Sequence, residues 1–138
     1  MLEFLPLAHV LKLSDEELYF LTGEDSIEAA KEKTFCRKCL SPYLYQGSRW
    51  SRVLYEESKG TKQGRESKGG GYHRSRGDAF IGSFLYQLYK DGVTEADLPE
   101  LTSDKMAVYL DFSNRYCAKS VQKAGAIASY PTMAEMEE

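Results

Sequence analysis

Gly77 and Asp78 head the stretch GDAFIGSFLYQLY, and that pair of residue types could support phosphoryl transfer. Phe80, Ile81, Phe84, Leu85 and Leu88 recur at three-to-four-residue spacing, which predicts a helix with one buried face. Asp78 sits where its N-cap is expected and Gly92 where it should stop. A helix N-terminus favours an ionised carboxylate and attracts phosphate, because the macrodipole and unsatisfied N–H groups point there. A general base and an anion site would therefore coincide at Gly77 and Asp78. The plain alternative is an ordinary capped core helix.

Several elements must position that pair. Ala8 to Leu13 (AHVLKL) is short, apolar and β-compatible, and it runs directly into a helix that Ser14 and Glu17 can open as a capping box. Leu18, Phe20 and Leu21 supply the apolar side of that helix before Gly23 ends it, and Asp25 or Ser26 can cap a second helix through Ile27, Ala29 and Ala30. Beyond Gly92, Thr102 or Ser103 caps a helix reaching Lys119, with Met106, Tyr109, Leu110, Tyr116 and Cys117 near one face. Ala124 to Ala126 form a turn, and Pro131 and Thr132 open a last helix with Glu135 completing another capping box.

With 138 residues, 42% of them hydrophobic, the chain can bury one core or part of one. No run of about 18 apolar residues exists to cross a bilayer. The start MLEFLPLAHVLKL lacks the basic flank and cleavage site of a signal peptide, so the chain reads as soluble and cytoplasmic. Cys36, Cys39 and Cys117 are an odd count that argues against a disulfide framework. Cys36 and Cys39 have the spacing of half a zinc site, but only His9 and His73 could join them, so no metal site is expected.

Charge divides the chain. Residues 33–76 hold eleven Lys/Arg against three Asp/Glu, whereas the remainder is strongly acidic. This middle has no sustained period, is rich in Gly, Ser, Arg and Lys, and strands its only tryptophan, Trp50, between charges. It reads as an irregular or disordered segment. A solvated linker is favoured over a basic, aromatic-interleaved nucleic-acid segment.

The stretch KLSDEELYFLTGEDSIEAAKE resembles the middle of a PfkB-type sugar kinase of the ribokinase superfamily, especially a fructokinase, where a strand ends in an N-x-x-E motif followed by a helix and LTG. Ser14 stands at the family's Asn position. GDAFIGSFLYQL and FSNRYCAKSVQKAGAIASYPTMAEME are similar to the fructokinase C-terminus. The resemblance implies a partial ribokinase-like three-layer α/β/α fold, and an ATP-dependent transfer of the γ-phosphate to a sugar hydroxyl, with fructose the acceptor. It gives Asp78 the role of base, Gly77 a place in the anion hole, and Glu17 the organisation of magnesium and phosphate. Asn114 falls in the nucleotide pocket, and Ala124, Gly125 and Ala126 lie near a monovalent cation such as K+. ATP, Mg2+ and the sugar are the implied ligands and a homodimer the implied assembly, with neither membrane nor nucleic acid as partner.

One departure is large. The family precedes this helix with D-T-x-G-A-G-D, whereas residues 72–78 read Tyr, His, Arg, Ser, Arg, Gly, Asp. Arginine and serine side chains would alter the loop's dihedrals and obstruct close approach of ATP. With suitable codons, Gly71 to Arg76 is GGA TAC CAC AGG AGC CGG, which one base later spells D-T-T-G-A-G. The same shift turns Gln46 to Leu54 into K-G-A-G-G-A-G-C-Y, like the glycine turn of a preceding family strand. The chain is therefore divided into a ribokinase-like strand and helix (1–32), an out-of-frame basic segment (33–76) and a C-terminal helical part of the nucleotide-binding region (77–138). Family members are well over twice this length, so the expectation is a fructokinase-derived chain with little or no kinase activity. A non-catalytic nucleotide- or partner-binding remnant, and a nucleic-acid binder using the basic middle, are the alternatives.

Overall fold

The computed structural model describes residues 7–26, 29–30 and 77–137 in full, and the backbone of residues 43–46, 51–54, 56–57, 60–61 and 76. Strand β1 (Leu11–Ser14) starts later than its apolar run and takes in Ser14. Ser14 is extended (φ −89°, ψ 171°), so one residue both ends the strand and caps helix α1 (Asp15–Thr22). The expected capping box is present: Glu17 N–H donates to Ser14 Oγ at 3.2 Å, and Ser14 N–H donates to a Glu17 carboxylate oxygen at 2.7 Å. Such caps contribute about 1 kcal/mol. Gly23 ends α1 at φ 71°, a left-handed conformation that a side chain would penalise, and its N–H donates to the Tyr19 carbonyl at 2.7 Å. Of the two candidate caps that follow, Ser26 receives the Ala29 N–H.

Strand β2 (Tyr43–Gln46) pairs parallel with β1, from Leu11 opposite Tyr43 to Ser14 opposite Gln46. A parallel pair needs a crossover between its strands, and the chain containing α1 supplies it. Strand β3 (Ser51–Leu54) pairs antiparallel with β2, giving the order β1-β2-β3, and β4 (Glu56–Glu57) pairs with β5 (Gly60–Thr61) as a separate two-stranded ribbon. Residues 33–76 are thus not irregular throughout. Strand ladders are made by backbone groups that every residue carries, so pairing does not require the side-chain alternation this segment lacks. Trp50, Cys36, Cys39 and His73 lie outside the described residues.

Helix α2 (Arg76–Lys90) begins two residues ahead of Asp78. Asp78 therefore belongs to the first turn and is not the N-cap, because the helical backbone already includes Arg76 and Gly77. The buried face is Ala79, Phe80, Ser83, Phe84, Gln87 and Leu88. Leu85, expected to be buried, is 46% exposed, since it lies one residue and about 100° around the helix from Phe84. Gly92 ends α2 as expected, at φ 66°, with Gly92 N–H donating to Tyr89 O and Val93 N–H to Leu88 O in the Schellman pattern.

A short 3₁₀ turn (Glu95–Glu100) leads to helix α3 (Ser103–Ser120), whose Thr102 cap receives the Lys105 N–H. Met106, Tyr109, Leu110 and Cys117 are buried as expected, and Tyr116 is half-buried. The α2–α3 seam is the core: Phe84 meets Tyr109 edge to face, centroids 5.9 Å apart at 89°. Tyr109 hydroxyl donates to Asp91 at 2.6 Å, and the Lys105 ammonium stands 3.1 Å from the same oxygen. Helix α2 leans on β1 and α3 on β3. After the 3₁₀ turn Ile127–Ser129, helix α4 (Met133–Glu137) opens with the expected Thr132–Glu135 capping box, and Lys119 and Lys123 both reach Glu135. Tyr86, Phe112, Tyr116 and Tyr130 form a row of rings with successive centroids 6.3, 6.2 and 6.0 Å apart.

Candidate functional site

Alternation along β1 places Lys12 and Ser14 on one face and the buried Leu13 on the other. The Lys12 side chain, only 18% exposed, reaches a Glu17 carboxylate oxygen with its ammonium at 3.2 Å. That nitrogen also lies 3.1 Å from where a β-carbon on Gly77 would stand. A side chain at Gly77 would require the ammonium to withdraw by a few tenths of an ångström from the first turn of α2. One Glu17 oxygen consequently receives two donors, Lys12 and the Ser14 N–H. Partial burial pushes the Glu17 pKa up, but the Ser14 N–H and the Lys12 ammonium more than offset this and lower it below its ordinary value. Glu17 is held ionised.

Lys12, paired with Glu17, thus also stands beside Gly77, far away in sequence. Asp78 is the next residue of α2 and is exposed to solvent. The group lies at the carboxyl end of a strand of a parallel pair, where open α/β sheets bind ligands, beside a helix N-terminus that favours anions. Sequence reading passed over Lys12. Its signal was the strand's period of two, which puts a lysine on the same face as Ser14 just before the turn.

A single carboxylate does not cage a divalent ion, and among the described residues no group of three or more His, Cys, Asp or Glu could hold one. Magnesium retains water and favours one or two carboxylates together with phosphate oxygens, so Glu17 fits an ion carried in by a nucleotide. Asn114 is placed differently: it lines a groove of about 810 Å³ with Gln87, Lys90, Phe112, Arg115 and Met136, in which neither Glu17 nor Gly77 takes part. Ala124, Gly125 and Ala126 form an exposed turn with Gly125 at φ 109°. The Ala126 carbonyl accepts both the N–H and the hydroxyl of Ser129. Among the described residues no helix is long and apolar enough to cross a membrane.

No family model matches the chain. It is similar to fructokinase-1 of Zea mays, 31% identical over 134 residues that include 94% of this chain and 38% of that protein. Among solved structures, the fructokinase of Xylella fastidiosa with bound ATP superposes with a TM-score of 0.79 at 22% identity, covering 99% of this chain and 43% of that one. The chain is similar to fructokinases over part of their length. A ribokinase from Giardia lamblia gives a TM-score of 0.74 at 21% identity, covering 99% of this chain and 45% of that one. The chain therefore has a partial ribokinase-like α/β fold, as its resemblance implied, and it spans about two fifths of the curated relatives it matches. The conjunction of Lys12, Glu17 and Gly77 lies within that fold, at the seam between β1 and α2.

Proposed function

We propose that this chain forms the phosphate-handling side of an ATP-dependent sugar kinase acting on fructose, and that as written it turns over little or no sugar. The observation that carries the reading is the meeting of Glu17, Lys12 and Gly77 at the start of α2. Asp78 accepts the proton of the sugar hydroxyl as its oxygen bonds to the γ-phosphorus and the bond to the ADP oxygen breaks. The N–H groups of the first turn of α2, with the helix dipole behind them, stabilise the charge on the transferring group. Magnesium, when bound, neutralises charge between the phosphates, and Glu17 is the residue that would orient it.

Low turnover follows from Arg74, Ser75 and Arg76, which bring side chains to the segment where close backbone approach to phosphate is needed. Part of the proposal is that residues 33–76 translate a kinase segment out of frame, which the basic charge of that segment supports. Sequencing the template from upstream of Met1 through Asp78 tests this: a second frame without the glycine motif would overturn it. For activity, a coupled ATP-consumption assay with fructose should show no turnover above the blank. Turnover that Asp78→Asn abolishes would refute the inactivity and uphold the assignment of the base. Binding without turnover should appear as thermal stabilisation by ATP, amounting to about 2.7 kcal/mol at 100 times the Kd.

A further inference from the structure

Lys12 has a combination of surroundings that neither the capping box nor the core requires. Its side chain is 18% exposed, its ammonium touches a carboxylate that is itself 53% exposed, and it lies against the one position of the α2 first turn that has no side chain. The Ser14 N–H already satisfies the same Glu17 oxygen at 2.7 Å, so the capping box closes without the lysine. What Lys12 adds is a positive charge between Glu17 and the end of α2.

We infer that Lys12 is a positioning residue, an internal counter-charge that neutralises Glu17 and so determines how strongly nucleotide binding depends on a metal ion. This rests on the phosphate site proposed above. With Lys12 present, Glu17 offers an approaching triphosphate a neutral pair. Without it, the bared carboxylate repels metal-free ATP but attracts a divalent ion, so the metal's contribution grows. Each charge matters because it acts at short range beside a partly buried site, where the effective dielectric is well below that of water.

The test is ATP affinity by calorimetry on the full chain, with magnesium and with chelator, for wild type, Lys12→Met, Lys12→Arg, Glu17→Gln and the Lys12→Met/Glu17→Gln double variant. Circular dichroism on each variant checks folding. Lys12→Met should weaken metal-free ATP binding by about tenfold, one unit charge at a few ångströms. Magnesium–ATP binding should fall by less than about threefold, because the bared Glu17 attracts the ion. The double variant restores neutrality and should recover metal-free binding, and Lys12→Arg should stay near wild type. Equal losses with and without magnesium, or a double variant no better than Lys12→Met, would show that Lys12 contacts phosphate directly or only supports the fold, and would overturn the inference. If Lys12→Met does not fold, the Lys12→Met/Glu17→Gln double variant decides: metal-free binding as in wild type upholds the inference, and a tenfold loss overturns it. Wild type that binds no ATP under either condition would overturn the phosphate site itself, and the inference with it.

Discussion

Gly77→Ala sets two computable effects against each other. An alanine in place of a helical glycine stabilises by about 0.5–1 kcal/mol, because glycine loses more conformational freedom on folding. The added β-carbon would stand 3.1 Å from Lys12 Nζ and 3.6 Å from its Cε, so the lysine must withdraw by a few tenths of an ångström. Withdrawal lengthens the 3.2 Å pair with Glu17. That pair is half open to solvent and so contributes no more than about 0.5–1 kcal/mol. The two terms nearly cancel, and the expected change in unfolding free energy is less than about 0.5 kcal/mol in either direction, measured by urea denaturation. The cancellation can be dissected. In a Lys12→Met background the steric conflict with the ammonium is gone, so adding Gly77→Ala should stabilise by about 0.5–1 kcal/mol. If Gly77→Ala destabilises the wild type by more than about 1.5 kcal/mol, the lysine cannot yield and the reasoning fails. The same result in both backgrounds would show that Lys12 and Gly77 are not coupled.

Two other predictions concern the helical part. Phe84→Ala removes a fully buried ring from the α2–α3 seam and should cost about 3–5 kcal/mol, a large fraction of a small domain's stability; a loss under about 1 kcal/mol in urea denaturation would contradict the packing described. Glu135 has its pKa lowered from 4.5 to about 2, first by the Lys123 ammonium, then by the Thr132 N–H and hydroxyl. Because the folded value lies below the unfolded one, its contribution is present in full above pH 4.5 and is lost as pH falls toward 2. Urea midpoints should therefore drop across that interval less steeply in Glu135→Gln than in wild type, and identical slopes would refute the assignment.

What could be read in the sequence was mostly local. The capping boxes of Ser14 with Glu17 and Thr132 with Glu135, and the stop at Gly92, each involve residues within one turn of one another, so spacing and residue type suffice. Asp78 shows the limit of that reading. It has the right chemistry for a cap, but the helical backbone continues to Arg76 and makes it a first-turn residue. The Thr94–Asp97 pair opening the 3₁₀ turn, with Asp97 accepting the Thr94 N–H, has the spacing T-x-x-D in the sequence. The pairing of β2 with β1 and with β3 was not legible, because the residues of β2 and β3 lack alternation and backbone groups make the ladder. Family resemblance supplied the fold, and it also pointed to Glu17 and Gly77. It did not supply Lys12, whose role depends on a contact between segments far apart in sequence.

The row of rings through Tyr86, Phe112, Tyr116 and Tyr130 has an optical consequence. Chromophores about 6 Å apart couple their electronic transitions, and here successive members belong to α2, α3 and the segment leading into α4. Near-ultraviolet circular dichroism, which reports fixed side-chain packing, should therefore carry a Tyr116–Tyr130 contribution that exists only while the segment leading into α4 is docked on α3. Replacing Tyr130 would remove the end of the row and leave the Tyr86–Phe112–Tyr116 coupling in place. The chain thus contains its own spectroscopic marker for docking of its last residues, readable without any label.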